Sequence, residues 1–133
     1  MEDFMSKWRQ QILSLLRIMT GLCLLQFGMA KLLKYPAVPM FKDVTITSWP
    51  GGYAGTLELV LGALLTIGLF TRPVAFVLSG LMACAYFIGH AGRDFFPILN
   101  GGTLAIMFCF ACLYLSAAGG GPLSVDAMVR NKQ

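Results

Sequence analysis

The residues in this sequence that could do chemistry are polar or charged side chains within otherwise apolar stretches. They are Arg17, Lys31, Glu58, His90 and Asn100. A charge near the centre of a membrane helix costs roughly 2.5–3.5 kcal/mol on insertion scales, and such residues usually face a bundle interior where they pair or serve a function. We therefore take these five as a candidate ligand-binding or proton-handling pocket. The alternative is a purely structural set, with one interhelical ion pair and several interface anchors.

Four apolar stretches must position these residues, at about residues 12–33, 53–70, 73–90 and 100–118. A helix needs about 20 mostly apolar residues to cross the hydrocarbon core of a bilayer, and these stretches come close to that length. Only about two residues separate the second stretch from the third, so these two helices must form an antiparallel hairpin. The sequence thus predicts an all-α, antiparallel, integral membrane four-helix bundle with short loops, in a single transmembrane domain over residues 1–133.

Composition favours a membrane protein and argues against a nucleic-acid partner. The chain is 57% hydrophobic and 12% charged, with a mean hydropathy of +0.74, whereas soluble domains carry about 25% charged residues. The ten Lys and Arg residues are scattered over segment ends without interleaved aromatics, so the net charge of +4 is not a nucleic-acid signal. Membrane lipids are the expected surroundings. No metal site is expected, because His90 lacks a second His or thiolate at ligand spacing.

The depth of the candidate residues predicts where they meet. At about 100° per residue, each lies on a helix face that also carries small residues, which mark helix–helix contacts in membranes. Consecutive helices run in opposite directions, so the end of one lies level with the start of the next. Lys31, Glu58, His90 and Asn100, the last at the start of the fourth helix, are therefore expected in one leaflet. Arg17 is expected toward the other surface.

The motif Cys109-Phe-Ala-Cys112 has the spacing of a redox pair. A reactive pair of this kind normally lies at a helix N-terminus, where the dipole stabilises a thiolate. Here both thiols are in mid-helix, roughly opposite the face of Asn100, and are expected in lipid. An apolar environment disfavours the thiolate, so the pair is predicted to be inert.

The distribution of basic residues predicts the orientation. Cytoplasmic segments of membrane proteins are enriched in Lys and Arg. With the N-terminus inside, five basic residues face the cytoplasm and three or four face the opposite side; the five are Lys7, Arg9, Arg72, Arg130 and Lys132. We expect a multi-pass protein of a bacterial-type inner (plasma) membrane, with both termini in the cytoplasm. In this orientation the candidate pocket lies in the outer leaflet.

Several different short motifs follow one another along the chain in a characteristic order and spacing. They are Leu15-Leu16-Arg17, Phe27-Gly28-Met29-Ala30-Lys31-Leu32, Glu58 with Gly62, Gly68-Leu69-Phe70-Thr71-Arg72-Pro73, His90, Phe96-Pro97-Ile98-Leu99-Asn100-Gly101-Gly102 and Gly121-Pro122-Leu123-Ser124-Val125-Asp126. With these motifs the chain resembles the DoxX family of small four-helix membrane proteins over nearly its whole length.

The resemblance implies a link to membrane oxidoreductase systems. Members of that family are associated with thiosulfate:quinone oxidoreduction and with complexes that handle thiol or oxidative stress. The resemblance points to the same five residues that the assignment of helix faces at about 100° per residue selected. This sequence differs from the family pattern at Thr103, where the pattern has a glutamate after Asn-Gly-Gly. The resemblance therefore does not support a proton or cation role that needs this second carboxylate.

Three functions stay open at this point. The first is a quinone-linked subunit of a respiratory or other oxidoreductase complex, with a quinone headgroup near Lys31, Glu58 and His90, no covalently bound cofactor, and electrons supplied by a partner protein. The second is a non-catalytic accessory subunit of a larger complex, with Gln26 and the apolar outer faces as contacts. The third is a small transporter, which the lack of visible inverted repeats and broken helices disfavours. The sequence does not decide whether the chain catalyses a reaction itself.

Overall fold

The computed structural model describes residues 1–131, so Lys132, which entered the charge comparison, lies outside the described residues. Within the described range the secondary structure is helical, without strands, which confirms the all-α prediction. The α-helices are α1 (Glu2–Lys7), α2 (Arg9–Gly28), α3 (Gly51–Ile67), α4 (Thr71–Gly89), α5 (Pro97–Asn100), α6 (Thr103–Ala118) and α7 (Val125–Asn131). A π-helical turn, Met29–Leu33, extends α2, and a 3-10 turn, Pro39–Phe41, lies in the long loop that follows.

Glycines set two helix boundaries that differ from the prediction. Helix α3 ends at Ile67 because Gly68, at φ 75°, adopts the left-handed conformation that terminates helices. The prediction that Asn100 begins the fourth helix is wrong. Asn100 ends the separate short helix α5, since Gly101 turns the chain at φ 76°, and α6 begins only at Thr103.

Two helical segments are long and apolar enough to cross a membrane by length and composition. They are Arg9–Leu33, with 25 residues and a mean hydropathy of 1.7, and Thr71–Gly89, with 19 residues and a mean hydropathy of 1.5. Helices α3 and α6 are also apolar but have 17 and 16 residues. At 1.5 Å per residue they reach about 25 Å, against a hydrocarbon core of about 30 Å. Length alone therefore supports two of the four predicted spans.

Helices α2 and α3 pack antiparallel at a glycine-mediated close contact. A Cβ atom added to Gly28 would lie 2.5 Å from the backbone nitrogen of Leu59, and one added to Gly62 would lie 2.9 Å from that of Leu25. Small residues of this kind allow helix backbones to approach closely. The packing brings the π-helical turn of the first segment beside the middle of α3.

Helices α4 and α6 form a second antiparallel pair. The Ser79 hydroxyl donates a hydrogen bond to the carbonyl oxygen of Cys109 at 2.8 Å, and the Arg72 guanidinium donates to that of Ala117 at 2.6 Å. The chain between α3 and α4 is the short turn 68–70, which makes these two helices neighbours as well. Helices α3 and α4 also contact each other, as the predicted hairpin requires.

One hydrophobic core joins the two helix pairs. Its fully buried side chains include Leu24, Leu65, Leu78, Cys112 and Leu115. The expectation that Cys112 lies in lipid is wrong, because the outer face of α6 is the one that carries Met107 and Tyr114. The sequence-based assignment of helix faces failed because it treated Asn100 and α6 as one continuous helix. The chain breaks after Asn100, so the face of α6 that points inward cannot be extrapolated from Asn100.

The bundle has two ends. The loop end carries the long loop 34–50 and the loop 91–96. The turn end carries the turn 68–70, the segment 119–124 and helix α7. Asp126 joins α7 to the start of α4, because its carboxylate oxygens accept hydrogen bonds from the backbone N–H groups of Phe70 and Thr71, both at 2.8 Å.

Candidate functional site

A cavity of about 270 Å³ opens at the loop end. Three of the five predicted residues, Lys31, Glu58 and His90, line it. The other lining residues are Leu24, Phe27, Met40, Phe41, Met82, Ala85, Gly101, Leu104, Ala105 and Phe108. The structure therefore brings a carboxylate, an ammonium group and an imidazole to one mainly apolar and aromatic space, as their depth in the sequence predicted.

Lys31 and Glu58 form an ion pair in this cavity. The Lys31 Nζ lies 2.9 Å and 3.2 Å from the two carboxylate oxygens, and the side chains are 14% and 4% exposed. The ammonium also lies 5.4 Å from the ring centroid of Phe41 and 6.0 Å from that of Phe27. Aromatic faces attract cations, so the rings add to the stabilisation of the ammonium.

Local backbone structure explains how Lys31 reaches Glu58. Lys31 lies in the π-helical turn Met29–Leu33, and such turns are often found at functional sites. Its stem packs on Gly55, where an added Cβ would lie 3.0 Å from the Lys31 Cβ. Gly55 precedes Glu58 by three residues and therefore lies on the same face of α3. The glycine makes room for the lysine stem beside the carboxylate.

His90 is held by the backbone of Asn100. It caps the C-terminus of α4, and its Nδ1 lies 3.1 Å from the Asn100 carbonyl oxygen. A carbonyl oxygen only accepts, so this contact is a hydrogen bond when Nδ1 carries the proton. The neutral imidazole then has Nε2 as a hydrogen-bond acceptor, and a protonated imidazole has Nε2 as a donor.

The Asn100 side chain does not line the cavity. Its amide donates to the Tyr86 hydroxyl at 3.2 Å and to the Asp94 carbonyl at 3.0 Å, and its oxygen accepts from the N–H of Gly102 at 2.8 Å. These bonds fix the break between α5 and α6, and with it the carbonyl that contacts His90. Asn100 thus supports the site from outside.

Arg17 lies at the turn end, as predicted, and does not belong to the cavity. Its guanidinium is buried and donates to the carbonyl oxygens of Thr66 at 3.3 Å, Leu123 at 2.6 Å and Gly120. Fourteen residues separate it from Lys31, which is about 21 Å along a helix. It ties the segment after α6 to α2 and α3.

The long loop contributes residues that sequence reasoning missed. Phe41 lies in the 3-10 turn of that loop and packs over the ammonium of Lys31. The Lys34 ammonium holds the loop in place by donating to the carbonyl oxygens of Lys31 and Phe41, both at 2.8 Å, and of Val44. No periodic signal marks a loop residue. The aromatic wall of Phe27 and Phe108, with ring centroids 6.3 Å apart, could have been found from helix faces.

Comparison with known proteins decides the family. The DoxX family model matches residues 12–91, more than half of the chain. The chain belongs to the DoxX family. An uncharacterized protein of Haemophilus influenzae is 37% identical over 132 residues, covering 92% of this chain and 93% of that protein. No solved structure matches. The resemblance drawn from the sequence is confirmed, and together with the apolar helices it supports a DoxX-like membrane protein.

Proposed function

We propose that this DoxX-family protein is an integral membrane subunit of a quinone-linked oxidoreductase complex, and that its loop-end cavity binds the quinone headgroup. The observation that carries the proposal is that a buried Lys31–Glu58 pair and His90 line one otherwise apolar, aromatic cavity. Binding sites for small molecules are mostly apolar with a few convergent polar groups, and this cavity has that composition.

Apolar side chains on the outside of the bundle support four membrane spans rather than two. Large hydrophobic residues are exposed on every long helix, for example Leu15, Val60, Phe76 and Phe110. Soluble monomers rarely expose such extended apolar surface. A helix of 16 or 17 residues can span a bilayer that thins locally around it, at a modest cost. We place both termini in the cytoplasm and the protein in a bacterial-type inner membrane, from the Lys/Arg bias.

The polar groups match the two redox forms of a quinone. An ammonium has three donors, and Lys31 uses two of its contacts on Glu58, which leaves a donor for a quinone carbonyl oxygen. A quinol hydroxyl can donate to Nε2 of neutral His90. The volume of about 270 Å³ suits one ring and leaves the isoprenoid tail in lipid. Electrons would be exchanged with a partner protein in the membrane complex.

Quinone content of the purified protein tests this proposal. The full chain is extracted in mild detergent, and bound quinone is quantified by mass spectrometry for the parent, Glu58→Gln and His90→Gln. Phe108→Leu, inside the cavity, and Phe110→Leu, on the outer face of α6, form a matched pair. We expect bound quinone to fall, relative to the parent, in Glu58→Gln, His90→Gln and Phe108→Leu. It should persist in Phe110→Leu. Equal quinone content in all variants would contradict the proposal.

A specific observation favours the accessory-subunit function as the second candidate. Gln26 is exposed on the outer face of α2, where lipid offers its amide no hydrogen-bond partner. Polar side chains in membrane helices hydrogen-bond across helix interfaces, so Gln26 marks a contact with another protein. Stoichiometric copurification of a larger complex, lost in Gln26→Leu and obtained without quinone, would support this function instead.

A further inference from the structure

A second, larger cavity of about 530 Å³ lies at the turn end, away from the quinone site proposed above. It is formed where the first turn of α4, the end of α6 and helix α7 meet. The residues that matter for its chemistry are Thr71, Arg72, Asp126 and Arg130. None of them belongs to the candidate site at the loop end.

The charges that line this cavity favour an anion. Arg72 and Arg130 are both exposed, and a hydrogen bond to Ala117 fixes the Arg72 guanidinium. Asp126 is the opposing charge, but both of its oxygens are engaged by backbone N–H groups at the start of α4. The lining therefore carries two guanidinium groups against one carboxylate, and that carboxylate is held by backbone N–H groups of the same lining and lies within the influence of the Arg130 charge.

A buried hydroxyl points to a missing hydrogen-bond partner. Thr71 is 1% exposed and lines the cavity, and its Oγ1 lies near the Asp126 carboxylate but forms no well-formed hydrogen bond to it or to any other group of the described residues. Buried polar groups are nearly always satisfied by protein, water or ligand. A ligand oxygen between the arginines and Thr71 would satisfy it.

The surroundings of the cavity are those expected at the edge of a membrane. Phe70, in the turn between α3 and α4, lines it and is 64% exposed, and Pro73 and Pro122 add apolar surface. Aromatic residues at helix ends are typical of the membrane–water interface. A ligand bound here would meet basic groups at one side and hydrocarbon at the other.

We propose that this turn-end cavity binds the phosphate of an anionic phospholipid headgroup. Arg72 and Arg130 contact the phosphate oxygens, the Thr71 hydroxyl donates to one of them, and Phe70 packs against the glycerol and the first part of an acyl chain. Basic pockets between membrane helices bind acidic headgroups in this way. The inference rests on membrane embedding but not on quinone binding, so the two proposals can fail separately.

Native mass spectrometry of the detergent-purified full chain tests the site. Phosphatidylglycerol and phosphatidylcholine with identical acyl chains are titrated against the parent, Arg130→Gln and Arg72→Gln/Arg130→Gln. We expect preference for phosphatidylglycerol, lowered about five-fold for each arginine removed. Arg9→Gln, at the same end but outside the cavity, is the matched control and should bind like the parent. Because Arg130 is exposed, Arg130→Gln keeps the test valid if the double variant misfolds.

Three results would overturn the inference. The parent protein could show no preference between the two lipids. Arg9→Gln could lose as much affinity as Arg130→Gln, which would mean a general charge effect. Finally, inorganic phosphate at millimolar concentration could displace phosphatidylglycerol, which would identify a site for free phosphate rather than for a lipid.

Discussion

Removal of the carboxylate of Glu58 tests what the buried ion pair contributes. Glu58→Gln keeps the size and one acceptor oxygen of the side chain but leaves the Lys31 ammonium, 14% exposed, without its counter-charge. Breaking a buried pair from one side costs roughly 3–5 kcal/mol. We expect the low end, about 3 kcal/mol, because the amide oxygen and the rings of Phe27 and Phe41 still contact the ammonium.

The reverse substitution should cost more. Among the described residues, the Glu58 carboxylate accepts its hydrogen bonds from Lys31, so Lys31→Met leaves this carboxylate buried without a donor. We therefore expect a loss near the upper end, about 5 kcal/mol. In the double variant Glu58→Gln/Lys31→Met neither charge remains. Its free energy of unfolding should therefore be higher than that of Lys31→Met.

Reversible unfolding in mixed micelles measures all three variants, with quinone content measured in parallel. If the pair is structural only, the double variant recovers stability and leaves quinone content unchanged. If it also binds ligand, stability recovers but quinone binding does not. A double variant less stable than Lys31→Met would refute the reasoning about the ion pair, and so would a fully stable, fully active Glu58→Gln.

Four further predictions concern the packing, a cap, the thiol pair and the topology. Gly28→Ala should destabilise the bundle by several kcal/mol because its Cβ meets the α3 backbone, whereas Gly80→Ala, with open space around it, should be neutral or stabilising by about 0.5–1 kcal/mol in unfolding assays. Partial burial works against ionisation of Asp126, but the backbone N–H groups of Thr71 and Phe70, the Thr71 hydroxyl and the Arg130 charge hold its pKa below the ordinary value. Asp126→Asn should cost about 1 kcal/mol, and this difference should shrink once the pH falls below the ordinary carboxyl pKa and vanish below the lowered pKa. Replacement of Cys112 and its partner thiol by Ala should lower the unfolding free energy by about 1 kcal/mol and leave quinone content unchanged. Reporter fusions after Lys42 and at the C-terminus should lie on opposite sides of the membrane, and a common side would contradict four spans.

The convergence of Lys31, Glu58 and His90 could be predicted because it depends on two regular features. Helical periodicity puts each residue on the packing face of its helix, and alternating helix direction sets its depth. Both survive small errors in helix boundaries: α3 is shorter than expected, yet Glu58 remains opposite the end of the first segment.

The remaining parts of the site depend on irregular backbone, which periodicity does not describe. The left-handed glycine after Asn100 separates α5 from α6 and rotates the face of α6 that carries Cys112 into the core. Phe41 lies at the cavity in a loop that the Lys34 ammonium holds through hydrogen bonds to three carbonyl groups. Such contacts join residues through the folded loop, so the sequence pattern alone does not contain them.

Photoaffinity labelling with an azidoquinone tests the central claim most directly. Membranes that contain the protein are irradiated with the probe, and labelled residues are mapped by mass spectrometry with and without excess unlabelled quinone. The account predicts labels that competing quinone removes, on the first helical segment near Phe27 and on α6 near Phe108, both of which line the loop-end cavity. Labels spread over the outer faces of the helices, with no effect of competing quinone, would contradict it.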